Sequence, residues 1–148
     1  MSSEKPQIKI TPEEFRYMAL LNELTGAVVK DCIIDEENNR VIFLVNPEDV
    51  GKAIGPRGFF AQRLRRLLNK NIEVVGYGSS IEEQVRYALA PARVKEVKLA
   101  TRPDGSRVLY VAVEPSDKGI AIGRNGKNVQ RARLILKRHF NIDSVVIA

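Results

Sequence analysis

The stretch Asp49-Val50-Gly51-Lys52-Ala53-Ile54-Gly55-Pro56-Arg57-Gly58 returns 68 positions later as Asp117-Lys118-Gly119-Ile120-Ala121-Ile122-Gly123-Arg124-Asn125-Gly126. Around it, Val45 to Leu68 aligns without a gap on Val113 to Leu136, with 12 identities in 24 positions. A duplicated unit of about 70 residues explains this self-similarity. Solenoid repeats are shorter, roughly 20 to 45 residues, and stack in larger numbers. Two copies of this length predict two small domains, residues 1–77 and 78–148.

Each copy centres on Gly-x-x-Gly after an apolar residue. Glycine there permits positive φ and leaves no Cβ between the backbone and an approaching ligand. The basic residues that follow keep helical spacing, so the loop delivers the chain into a helix N-terminus, where amides and the positive dipole end favour phosphate. One such loop is a weak signal. Repeated with its flanks and arginines, it is a strong one.

The chain has 148 residues, 44% hydrophobic, and a net charge of +6. Gly51 to Asn71 and Lys118 to His139 together hold 13 of the 24 Lys and Arg and none of the 18 Asp and Glu, so the rest of the chain is net acidic. Basicity confined to the repeated motifs is the footprint of a nucleic-acid site. Cys32 and His139 are single, which excludes a disulfide framework or a Cys/His zinc site within one chain. No cofactor is expected. No Walker-type motif or nucleophile and base pair suggests an enzyme or a small-molecule substrate. The polar start, Met1 to Lys9, has no signal core, and no apolar run reaches membrane-spanning length, so a cytoplasmic protein is expected.

In order, Thr11-Pro12-Glu13-Glu14 opens a helix with a capping box, and Tyr17, Leu20, Leu21 and Leu24 form its inward stripe before Gly26 stops it. Ala27–Ile34 and Val41–Val45 predict a hairpin, the second strand covered on both faces. A short helix from Pro47 leads to the first loop. Beyond it, Phe60, Leu64, Leu67 and Leu68 read as inward, and Arg63, Arg66 and Lys70 as outward. Ile72–Val75 closes the unit, giving αββααβ. Gly76 to Ser80 reads as a short flexible joint. The second half repeats the order: a helix capped by Ser80 and limited by Pro91, strands Val94–Ala100 and Val108–Val113, a helix Ser116–Ile122, the second loop, a helix with Val129, Ala132, Ile135 and Leu136 inward, and a strand near Val145–Ile147. The fold class is α+β, two units with helices packed on a three-stranded sheet.

Ile-Gly-x-x-Gly joining two helices in an αββααβ unit resembles the type II KH domain, over nearly the whole chain after about residue 10. The pair resembles the tandem KH region of NusA, through Ala121 to Val129 above all and less specifically through Asp49 to Gly55. Its size is similar to the short archaeal NusA-like factors; nothing corresponds to the bacterial polymerase-binding or S1 domains. The resemblance implies single-stranded RNA as partner and a role in transcription termination or elongation, with RNA polymerase as a candidate second partner. KH loops clamp about four nucleotides by their backbone over an apolar groove. Carried onto this chain, the RNA-binding residues are Ile54, Gly55, Pro56, Arg57, Gly58 and Arg63 in the first copy. In the second they are Ile122, Gly123, Arg124, Asn125, Gly126, Lys127 and Arg131. Phe59 is open between stacking on a base and a packing contact. Two other readings compete: a helix-turn-helix protein for duplex DNA, and a basic scaffold for polymerase or ribosomal partners.

Overall fold

A computed structural model describes residues 6–148; residues 1–5 of the polar start lie outside the described residues. Two compact units result, one of Lys9–Tyr77 and one of Gly78–Ala148 with residues 6–8.

The first unit opens with α1, Pro12–Thr25. Thr11 Oγ1 accepts from the Glu14 amide at 3.1 Å and Glu14 Oε1 accepts from the Thr11 amide at 3.0 Å, the reciprocal box the sequence announces. Gly26, at φ 76°, ends the helix. Strands β1 (Val29–Asp35) and β2 (Arg40–Val45) pair antiparallel around Glu36–Asn39. One 3-10 turn, Pro47–Asp49, precedes α2 (Val50–Ile54); a second, Pro56–Gly58, precedes α3 (Phe59–Leu68). Strand β3 (Asn71–Gly76) then pairs parallel to β2, so the sheet order is β1-β2-β3. The return to a parallel neighbour requires a crossover, and α2, the loop and α3 are that crossover. Tyr17, Leu21, Cys32, Val41, Phe43, Val45, Ala53 and Leu64 form the core, and every residue of β2 is buried.

The second unit is built alike: α4 (Ile81–Leu89), β4 (Val94–Thr101), β5 (Arg107–Val113), α5 (Lys118–Ile122), α6 (Lys127–Phe140) and β6 (Ser144–Ile147), with sheet order β4-β5-β6. Both hairpins are irregular at the same place, between Val29 and Asp31 and between Val94 and Glu96. The duplicated aspartates have one job in both copies. Asp49 Oδ2 accepts from the Val28 amide at 2.8 Å, and Asp117 Oδ2 accepts from the Arg93 amide at 2.9 Å. Each carboxylate pins the turn before the Gly-x-x-Gly helix pair to the chain entering the sheet.

Four details depart from the sequence reading. Leu67 is not inward but 61% exposed, whereas Ile135, 68 positions on, is fully buried. The reason lies in the first helix of each unit: α4 packs chiefly on α6, while α1 packs chiefly on β1 and leaves that side of α3 uncovered. Lys70 lies past the end of α3 and pairs with Glu36 at 3.4 Å. Gly78, read as part of a flexible stretch, is buried within the second unit, where its amide donates to Gln84 Oε1 at 2.8 Å and Gln84 is itself fully buried. Strand β2 starts at Arg40, whose buried guanidinium is held by Asp35 at 2.7 Å and Glu73 at 3.2 Å; paired carboxylates make that burial tolerable.

Candidate nucleic-acid interface

The two loops follow one backbone path. Gly55 has φ 83° and ψ 168°, Arg57 φ 54° and ψ 29°, Gly58 φ 73° and ψ 21°. Gly123, Asn125 and Gly126 match them at φ 79°, 58° and 73°. The loop closes when the second glycine amide donates to the first glycine carbonyl, at 3.0 Å in one copy and 3.1 Å in the other. The first glycine is demanded by packing. A Cβ on Gly55 would lie 2.6 Å from the Phe60 ring, and one on Gly123 2.7 Å from the Asn128 amide group. The second glycine is demanded by its positive φ, since its surroundings are open. All four glycines thus have a structural reason. Arg57 holds a left-handed conformation that costs an ordinary side chain roughly 1–2 kcal/mol, and strain of this kind concentrates where a loop is shaped for a ligand. Asn125 takes the same conformation more readily.

Pro56, Arg57, Arg124, Asn125 and Lys127 are exposed, and Ile54 and Ile122 are half-buried beneath them. Among the described residues, Arg57, Arg124 and Lys127 make no hydrogen bond or ion pair, so these cations are available to an anion. The copies differ one step into the following helix. Asn128 donates from Nδ2 to the Ile120 carbonyl at 2.8 Å and ties α6 back to α5. Phe60 fills the same place with a ring, and Phe59 stands against it edge-on at 5.4 Å, itself 55% exposed.

Beside each loop the helix borders a hollow. At α3, Gln62, Arg65 and Arg66 with Asn69 just past the helix end line about 340 Å³; on α6, Val129, Gln130 and Arg133 with Val145 of β6 line about 270 Å³. Arg63 and Arg131 are not among these lining residues. The Arg131 guanidinium turns to α4 and donates to the Ala88 carbonyl at 2.9 Å, while Arg63 is exposed. Gln62, Arg66 and Asn69 were legible in principle, because they share with Arg65 the i, i+3, i+4, i+7 spacing of one helix stripe. Val145 was not, since only the docking of β6 beside α6 brings it there. Among the described residues, no cluster of His, Cys, Asp or Glu could hold a metal, and no helix is long and apolar enough to cross a membrane.

A repeated αββααβ unit with a Gly-x-x-Gly loop between its second and third helices defines a pair of tandem KH domains. The KH domain family model matches residues 16–99, and the NusA-like second KH domain model matches residues 81–147. Among curated relatives, the "Probable transcription termination protein NusA" of Halococcus morrhuae is 34% identical over 142 residues, 96% of this chain and 99% of that protein. A protein of the same name from Methanocaldococcus jannaschii is 27% identical over 95% of this chain and 75% of its own length. A crystal structure of APE1850 superposes with a TM-score of 0.87 at 43% identity, over 94% of this chain and 100% of that one. The chain belongs to the archaeal NusA-like KH-domain family.

Proposed function

We propose that this protein binds single-stranded RNA through residues 1–77 and 78–148 as two KH modules, and that it acts in transcription termination or elongation. The observation that carries the RNA reading is the identical, strained course of both loops, each set in an acid-free basic stretch with unpaired cations at its mouth. Backbone phosphates meet the loops, Gly55-Pro56-Arg57-Gly58 and Gly123-Arg124-Asn125-Gly126 with Lys127. Bases lie over Ile54 and Ile122 toward the hollows of Arg65 and Arg133. The role in transcription follows the name borne by the relatives, and a cytoplasmic place of action goes with it. A helix-turn-helix reading is disfavoured because α2 and α5 have five residues each, too short for the helix that crosses a duplex backbone.

The test replaces Pro56 and Arg57, or Arg124 and Asn125, with Asp in pairs. All four glycines and both cores stay, so stability should change by less than about 0.5 kcal/mol from the surface changes, apart from a small loss of rigidity at Pro56. RNA affinity should fall in both variants, and further in the second. There Arg124 and Lys127 are two free cations, against Arg57 beside a proline without an amide. Wild-type RNA affinity in the Arg124 and Asn125 variant, at an unchanged melting temperature, would remove that loop from the site.

A further inference from the structure

The duplication sets two different side chains at the mouth of the same loop. Directly after the second glycine, at the first position of the following helix, one copy has Phe59 and the other has Lys127, 68 positions on. Lys127 is an exposed cation. Phe59 in its place is 55% exposed, although a phenyl ring ordinarily gives most of its surface to a core. Its ring meets Phe60 edge-on at 5.4 Å, and Phe60 in turn lies over Gly55, where an added Cβ would come within 2.6 Å of it. This packing props Phe59 at the loop and leaves more than half of its surface open. One helical turn on, at i+4, Arg63 is exposed and makes no hydrogen bond or ion pair among the described residues. Its counterpart Arg131 is committed to the Ala88 carbonyl at 2.9 Å. The first copy thus has an open aromatic ring flanked in sequence by two available guanidiniums, Arg57 and Arg63, in a stretch without acids.

We infer that Phe59 is a base-stacking platform, whose ring takes one unstacked base of the RNA strand that the first loop holds by its backbone. Arg57 and Arg63 take phosphates beside that nucleotide. The inference rests on the single-stranded RNA reading. Stacking suits the place chemically, because a strand held by its backbone leaves unpaired bases free, and every base offers a face to an aromatic ring whatever its identity. It also offsets what this loop lacks, since Pro56 has no amide to give a phosphate and Phe59 has no charge. The two loops therefore hold RNA differently. The second relies on charge at Lys127, and the first on a ring that a duplex, its bases already stacked on one another, cannot use.

The chain has no tryptophan, so Phe59→Trp makes position 59 its only indole. The full-length variant is titrated with a single-stranded oligoadenylate of about 12 nucleotides, room for two modules that take about four each. Its fluorescence should be quenched saturably, whereas an abasic oligomer of the same length and charge should leave it unquenched. Phe59→Leu keeps an apolar side chain without a π face. It should weaken oligoadenylate binding about tenfold, with the melting temperature and the slope of log K against log[salt] as in wild type, because no charge is removed. Phe59→Trp should bind at least as tightly as wild type. Saturable binding without quenching, or equal quenching by the abasic oligomer, overturns the platform, and this signal decides by itself should Phe59→Leu disturb the fold. Wild-type affinity in Phe59→Leu also overturns it, while leaving the RNA reading to the Arg124 and Asn125 variant. Failure of the wild-type chain to bind oligoadenylate at all removes that reading and the platform together.

Discussion

A methyl group at position 78 would land 2.5 Å from the backbone nitrogen of Gln84, closer than any relaxed side chain allows. Gly78→Ala should therefore cost about 1–3 kcal/mol, the range for overpacking at a site that cannot yield. Gly51 offers the contrast: it sits inside α2 with nothing near its missing Cβ, so Gly51→Ala should gain about 0.5–1 kcal/mol. Thermal melts of the two variants should move in opposite directions. Asp117 answers to pH for an equally local reason. The Arg93 guanidinium and then the Arg93 amide bond its carboxylate, holding its pKa at about 2, below its ordinary value of 3.8. A carboxylate depressed by folding contributes stability that is full above the unfolded pKa and fades as pH falls toward the folded one. The destabilisation caused by Asp117→Asn should be constant at neutral pH and shrink between about pH 4 and pH 2. A gap that stays constant down to pH 2 would mean that the charge contributes nothing.

At the scale of elements, one arginine in a duplicated position does two different things. Arg131 reaches the Ala88 carbonyl and joins α6 to α4, whereas Arg63 on α3 has no such partner. Hydrogen bonds to a charged group are worth about 1.5–3 kcal/mol, so Arg131→Ala should lower stability on that scale. Arg63→Ala should stay within about 0.5 kcal/mol of wild type. Urea titrations of the pair decide it, and equal losses would show that the two helices are held alike. The starts of α1 and α4 owe nothing to such distant bonds. Thr11 and Ser80 cap their helices within three residues, and Gly26 stops α1 by its own left-handed conformation. For that reason the order αββααβ could be written from spacing and punctuation alone.

Across the whole molecule, the two acid-free stretches dominate what an anion encounters. If they neutralise about four to six phosphates, log K for single-stranded RNA should fall against log[salt] with a slope of roughly −3 to −4, at about −0.7 per phosphate. A slope near zero in binding titrations from low to physiological salt would assign those faces to something other than a phosphate chain. What the sequence determined by itself was whatever acts over a few residues: the duplication, the capping box of α1, the helix caps and turns, the apolar run of β2, and the positive-φ glycines of both loops. Their causes are hydrogen bonds and torsional limits that close within one helical turn, so residue type and spacing suffice to read them. What tertiary structure alone decided was the fate of side chains whose partners lie far along the chain. Leu67 and Ile135 hold the same place in the same motif, yet one meets solvent and the other the core. Arg131 finds a carbonyl 43 residues away, and the buried Arg40 finds the second of its two carboxylates, Glu73, 33 residues later. Local spacing sets which face of an element is apolar, but only the packing of another element onto that face decides whether it is covered.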